Sequence, residues 1–92
     1  MTALTEEQIA VTLGKVAGWT YEERRLQKSF VQPNLRKAAE FAAEVSKLAE
    51  KHRHHPELHL THTGVTVLLS TESEGGVTGK DFLLAEEIEK LR

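Results

Sequence analysis

The sequence predicts an α+β fold: a single domain, residues 1–92, with a four-stranded antiparallel sheet and helices packed on one face. Three stretches repeat apolar residues every three or four positions, as amphipathic helices do. Four short stretches alternate apolar and polar residues, as half-buried strands do. The turns between paired strands are too short for parallel crossovers, so the order α-β-β-α-β-β-α implies two antiparallel hairpins.

Each helix is predicted from a capping residue followed by apolar periodicity. Thr5 and Thr78 stand three residues before Gln8 and Asp81, which is the capping-box pattern, and Asn34 is a good N-cap by itself. The predicted helices cover residues 5–15, residue 34 to the residues before Pro56, and residues 78–91. The stripe of the second helix that should face the core is Leu35, Ala38, Ala42, Val45 and Ala49.

The strands are predicted from alternation between turn signals. Leu58 and Leu60 alternate with polar neighbours in a strand that should be half-buried. The charged residues 22–25 should form the tip of the first hairpin, and Thr63 and Gly64 the turn of the second. The predicted strands cover residues 19–21, 26–31, 58–61 and 65–70.

Composition excludes several classes of protein. Cysteine is absent, so the chain has neither disulfides nor a thiolate nucleophile. The formal net charge is −2 with both signs scattered along the chain, so we expect no direct nucleic-acid binding. No secretory signal and no apolar run of about 20 residues is present, so we expect no membrane span and a cytoplasmic protein. So small a domain should gain stability from forming a homo-oligomer.

All five histidines fall between His52 and His62. Imidazole gives and takes protons near neutral pH, so such a cluster indicates a chemical site. Pro56 cannot continue the second helix and biases His55 away from helical geometry, which places His54 and His55 at a helix-to-strand corner. Corners held by rigid elements on both sides suit functional groups.

Three interpretations of this cluster stay open at the level of residue spacing. A metal site is disfavoured, because neighbouring His54 and His55 rarely aim at one ion and strand parity would send His59 and His62 to opposite faces. Acid–base chemistry is favoured by Glu50, one turn before His54. A solvated helix end explains His52 and its neighbour Arg53 through the helix dipole, but gives no reason for the His54-His55-Pro56 corner.

Asp81 has two compatible interpretations. It is the third-position acid of the Thr78 capping box. It is also a candidate partner of the histidine pair, provided that the fold brings them together.

The chain resembles the pterin-4a-carbinolamine dehydratases over nearly its whole length. The residues that carry the resemblance are Gly18-Trp19, the strand containing Phe30, Glu50-x-x-x-His54-His55-Pro56, Leu69-Ser70-Thr71, and Gly75-Gly76-Val77-Thr78 with Asp81. The resemblance implies a four-stranded sheet that joins a second copy edge to edge, giving a homodimer or a tetramer. It implies dehydration of 4a-hydroxytetrahydrobiopterin to the quinonoid dihydropterin, which recycles the cofactor of aromatic amino-acid hydroxylases. It implies no metal and no organic cofactor.

The resemblance also assigns roles to residues. His54 would be the main acid and base, His55 a supporting or pterin-binding group, and Asp81 the group that orients a histidine. Glu57 would line the pterin side together with the strand that follows it, Leu58, His59, Leu60 and Thr61.

Two positions depart from the family pattern. Glu72 stands where the family usually has a third histidine, and His62 where an aromatic residue usually ends the strand. A glutamate has an ordinary pKa of about 4.3, so at neutral pH it is a possible base and pterin-binding group but a poor acid. The alternative function is therefore a weak or inactive family member that binds a protein partner, as a coactivator or assembly factor.

Overall fold

The computed structural model describes residues 2–91, and the predicted order of elements is confirmed. Met1 and Arg92, the terminal residues of the expected domain, lie outside the described residues. None of the helices within residues 2–91 has the length and apolarity needed to cross a membrane. The elements are α1 (Glu6–Leu13), β1 (Thr20–Glu22), β2 (Arg25–Val31), α2 (Leu35–Lys51), β3 (Glu57–Thr61), β4 (Gly64–Leu69), a 3₁₀ turn (Glu72–Glu74) and α3 (Gly79–Glu89).

The four strands form one antiparallel sheet in the order β1-β2-β4-β3. Two hairpins, β1–β2 and β3–β4, are joined through the central pair β2–β4. Alternate residues of the central strands point toward the helices, and α2 packs on β3 and β4 and against α3. The buried core includes Ile9, Trp19, Leu26, Phe30, Phe41, Val45, Val65, Val67, Leu69, Phe82 and Ile88.

The predicted N-caps are all confirmed. The Thr5 side chain accepts a hydrogen bond from the backbone of Gln8, and Asn34 Oδ1 accepts one from the backbone of Lys37. At α3 the capping box is complete, because the Asp81 side chain accepts from the backbone N–H of Thr78. These contacts satisfy N–H groups that the first turn of a helix otherwise leaves without partners.

Helix α2 ends at Lys51, five residues before the proline that was expected to limit it. Arg53 adopts a left-handed backbone with φ of +52°. The backbone N–H of Arg53 then donates to Glu50 O at 3.2 Å, and that of His54 donates to Ala49 O at 3.0 Å. This pair of bonds is a Schellman motif, which closes the helix locally and turns the chain at His54.

The first hairpin turn is tighter than predicted, and the second is shifted by one residue. The first turn is Glu23-Arg24, both with positive φ, and Arg25 already belongs to β2. The second is His62-Thr63, so the expected turn at Thr63-Gly64 is wrong by one residue. Gly64 instead pairs with Thr61 in the sheet, where a Cβ atom would lie 2.2 Å from the carbonyl oxygen of Phe30.

Two leucines expected to be at least partly covered are exposed. Leu60 has 44% of its surface exposed, because β3 is an edge strand and α2 covers only part of it. Leu35 is 53% exposed at the first turn of α2, ahead of the part of the helix that lies on the sheet. Trp19, expected to begin β1, precedes the strand and is buried in the core.

Candidate active site

His54 and Asp81 meet between the end of α2 and the first turn of α3. The Schellman motif of α2 directs His54 inward, and the capping box of α3 fixes Asp81 one turn into that helix. Nε2 of His54 contacts Oδ1 of Asp81. His54 is 7% exposed and Asp81 is fully buried, so water competes little for this contact.

Asp81 accepts hydrogen bonds on both carboxylate oxygens. Oδ2 accepts from the Thr71 hydroxyl at 2.9 Å and from the backbone N–H of Thr78 at 2.8 Å. The Thr71 hydroxyl has a single hydrogen, which it gives to Asp81, so Thr78 is the donor in the 2.9 Å contact between the two hydroxyls. Because an ionised carboxylate only accepts, Nε2 of His54 carries the ring hydrogen, and Nδ1 keeps the lone pair that can take a proton.

His55 has a different environment from its neighbour. Its side chain is 77% exposed and its Nε2 lies 3.0 Å from Oε2 of Glu50, one turn back in α2. Both groups are in solvent, so this contact constrains the ring weakly. The His55 ring is therefore weakly constrained, whereas the His54 ring is held by the buried Asp81.

The two histidines line a cleft of about 520 Å³ at one end of the sheet. This volume falls within the range of about 300–1,000 Å³ that is usual for small-molecule sites. Leu68 of β4 contributes an apolar side chain to the lining, and hydroxyl groups and charged groups form much of the rest. The lining residues are Arg25, Arg53, His54, His55, Pro56, Glu57, Leu68, Ser70, Thr71, Glu72, Ser73 and Lys80.

Glu57 is held by two basic side chains at the edge of this cleft. Its Oε1 accepts from Arg25 at 3.1 Å, across the intervening strand β4, and its Oε2 contacts Nε2 of His59. The hydrogen bond from His59, and to a lesser degree the charge of Arg25, hold the pKa of Glu57 below its ordinary value. Both carboxylate oxygens of Glu57 are thus already in use.

The Pterin 4 alpha carbinolamine dehydratase family model matches residues 2–91. The chain belongs to this family.

Its relatives cover nearly the same length. A protein of Sulfolobus acidocaldarius named "Putative pterin-4-alpha-carbinolamine dehydratase" is 42% identical over 89 residues, covering 97% of this chain and 98% of the relative. A protein of the same name from Roseiflexus castenholzii is 39% identical, covering 96% and 95%. The crystal structure of a transcriptional coactivator/pterin dehydratase from Brucella melitensis superposes with a TM-score of 0.91 at 32% identity, covering 98% of each chain.

The structure brings together most of the residues expected at a dehydratase site. His54, His55, Glu57 and Glu72 line the cleft, and Asp81 lies directly behind His54. The two neighbours on β3 lie elsewhere. The Leu58 side chain packs against the core on the helix side of the sheet, and His59 contacts Glu57 without lining the cleft, so a pterin-binding role for both stays a prediction.

The lining residues that were not among the sequence candidates include Arg25, Arg53, Thr71 and Lys80. Thr71 belongs to the Ser70-Thr71 pair of the family motif, and Arg53 and Lys80 adjoin His54 and Asp81, so proximity in the chain was an available signal for these three. Arg25 had no such signal, because it reaches the cleft through the pairing of β2, β4 and β3.

The remaining histidines lie outside the cleft. His52 is the C-cap of α2, and its buried Nε2 faces α3, 4.0 Å from Oε1 of Glu87. His62 is in the β3–β4 turn, so the strand-parity argument made for it does not apply. Among residues 2–91 no three histidine or acidic side chains come together as a set of metal ligands.

Proposed function

We propose that this protein dehydrates 4a-hydroxytetrahydropterins to the quinonoid dihydropterin, with His54 as the acid and base. In this reaction the C4a–O bond breaks as the departing hydroxyl takes a proton and leaves as water. A ring N–H proton is released as the C=N bond forms, so no net proton is consumed. The reaction needs a group that can both give and take a proton near neutral pH, and each such transfer contributes about 10²–10⁴-fold.

The observation that carries the proposal is the series of side-chain hydrogen bonds from Thr71 through Asp81 to His54 at the wall of the cleft. Asp81 fixes the ring of His54 with Nδ1 as its proton acceptor and stabilises the positive charge when the ring is protonated, as the carboxylate of a catalytic triad does. His55, exposed and beside Glu50, supports the reaction by binding the pterin or relaying a proton to solvent.

Glu72 has a binding role in this proposal. It lines the cleft, and within the described part of the chain its carboxylate has no hydrogen-bond or ion-pair partner. A pterin presents two neighbouring donors, the 2-amino group and N3–H, which one carboxylate can accept together. Glu57 is less suited to this role, because Arg25 and His59 already occupy its oxygens.

The test is the rate of dehydration of freshly generated 4a-hydroxytetrahydrobiopterin. We expect acceleration by the wild type, loss of that acceleration in His54→Ala, and near wild-type rates in His62→Ala, a matched control in the distant turn. A wild type that is inert while Glu72→His is active would show that catalysis has been lost from this family member. Recycling of a hydroxylase cofactor in the cytoplasm is the physiological role that we propose for the activity.

A protein-binding role is the second candidate. It is favoured by the Brucella melitensis neighbour, which carries both the coactivator and the dehydratase name. His54→Ala separates the two functions, since an enzyme loses turnover whereas a scaffold keeps its partner.

We also propose that the protein is a homodimer built on β3. This strand pairs with β4 along one edge, and within residues 2–91 its other edge has no strand beside it. Leu60 is exposed on this strand. Pairing with a second copy of β3 would satisfy the open backbone groups and cover Leu60.

A further inference from the structure

Two cations that line the cleft lack a charged partner. Arg53 and Lys80 both contribute to its wall, and within residues 2–91 neither side chain makes an ion pair or a hydrogen bond. Arg25, the third cation, is already paired with Glu57. Glu72 is the one carboxylate among the lining residues without an ion-pair partner. Two unpaired cations and one unpaired anion therefore leave an excess of one positive charge, before any histidine is protonated.

Local structure explains these two cations only in part. The C-terminal dipole of α2 favours the charge of Arg53 but not its backbone conformation, and it has no counterpart at Lys80. Arg53 has a φ of +52°, at the helix-ending position where glycine is preferred because a side chain there costs free energy. Lys80 is the second residue of α3, where the positive end of the helix dipole disfavours a cation. Residues that conflict with local preferences are expected at functional sites, and both of these line the same cleft.

We propose that the cleft accepts a pterin whose side chain carries an anionic group such as a phosphate ester, and that Arg53 and Lys80 bind this anion. The proposal rests on the proposed function and adds the substrate class to it. A guanidinium can hold two phosphate oxygens at once, and an ammonium supplies a compact charge beside it. The two ends of the ligand are then bound separately, the donor edge of the ring by Glu72 and the anionic tail by the two cations.

The test compares two stable fluorescent probes, 6-hydroxymethylpterin and its phosphate monoester, by equilibrium binding at low and high salt. We expect the phosphate ester to bind about tenfold more tightly at low salt. Added salt should reduce this preference, because it screens charges at an open cleft. The double variant Arg53→Gln/Lys80→Gln should abolish it. Lys15→Gln/Arg36→Gln removes the same charge from positions that do not line the cleft and should retain the preference.

Each other outcome overturns the proposal in a distinguishable way. Equal binding of the two probes would reject the anionic substituent while leaving pterin recognition intact. Failure of both probes to bind would reject the proposed pterin site as well. A preference that survives in Arg53→Gln/Lys80→Gln would reject the two named residues, and an equal loss in Lys15→Gln/Arg36→Gln would show an effect of net charge alone. Circular dichroism spectra confirm that each variant is folded before binding is compared.

Discussion

The ring of His54 lies against the carboxylate of Asp81, which follows it by 27 residues in the chain. The contact joins two helix termini: the motif that ends α2 places the histidine, and the capping box that begins α3 places the aspartate. One carboxylate thus caps the N-terminus of α3 and orients an imidazole, and the two roles use different oxygens.

Replacing Asp81 with Asn should keep the shape of the site but remove the contact that sets the tautomer of His54. The amide can still accept from Thr71 and from the backbone of Thr78, which leaves its NH₂ group facing Nε2 of His54. Nε2 must then accept, so the ring hydrogen moves to Nδ1 and the proton acceptor is lost. We expect turnover to fall by about 10²–10⁴-fold. Nitrogen NMR of the ring should show the change of tautomer, and an unchanged tautomer would contradict this account.

Replacing Thr71 with Val should test the hydrogen bonds that hold the Asp81 carboxylate in place. The substitution preserves shape but removes a buried hydroxyl that donates to Asp81 and accepts from Thr78. We expect a loss of about 1–3 kcal/mol in the free energy of unfolding, because buried polar groups lose their partner. Urea denaturation measures it. Thr71→Ser retains the hydroxyl and should lose less, and a loss in Thr71→Ser as large as that in Thr71→Val would contradict a dominant contribution from the hydrogen bonds.

Gly64 and Gly75 allow the steric cost of an added methyl group to be compared at a crowded and at an open position. At Gly64 an added Cβ would lie 2.2 Å from the carbonyl oxygen of Phe30, whereas at Gly75 it would meet nothing within 4 Å. Gly75 has φ of +78°, so Gly75→Ala should cost about 1–2 kcal/mol for backbone conformation alone. Gly64→Ala should cost more, because β2 and β4 must separate or shift. Thermal and urea denaturation compare them, and the reverse order would contradict the described β2–β4 packing.

The pKa of Glu57 should depend on His59 more than on Arg25. The hydrogen bond from His59 is the largest cause that lowers this pKa, and the charge of Arg25 lowers it less. In His59→Ala the pKa of Glu57 should rise toward its ordinary value, and in Arg25→Ala it should rise by a smaller amount. Carbon NMR of the carboxylate measures both.

The contacts of Glu57 with His59 and Arg25 also determine the direction in which stability changes with pH. Because the pKa of Glu57 is lower in the folded state than in the unfolded one, these contacts stabilise the protein fully above the unfolded pKa. They cease to do so as the pH falls through the folded pKa. The wild type should therefore lose more stability than His59→Ala in that acid range. If the pKa of Glu57 rises more in Arg25→Ala than in His59→Ala, the order of causes assigned above is contradicted.

The edge of β3 should control the oligomeric state. Leu60→Asp places a charge where a second copy of the strand would pack, so we expect light scattering to report a monomer in place of a dimer. Leu83→Asp is the matched control, because Leu83 is similarly exposed, at 50%, but lies on α3. A wild type that is already monomeric, or dissociation in Leu83→Asp but not in Leu60→Asp, would reject this interface.

Local signals in the sequence determined the elements and their order. Thr5, Asn34 and Thr78 set the helix starts because capping depends on residues three positions apart, and alternation of apolar residues set the strands. The corner containing His54 and His55 was predictable for the same reason, although the structure ends α2 with the left-handed Arg53 and not with the limit set by Pro56.

Only the tertiary structure determined which residues distant in the sequence come into contact. The sheet order β1-β2-β4-β3 made β3 an edge strand, which left Leu60 exposed, and it brought Arg25 across β4 to Glu57. The packing of α2 against α3 brought His54 to Asp81. These contacts depend on how amphipathic faces pack against one another, and the periodicity that creates each face does not specify which distant residues it will cover.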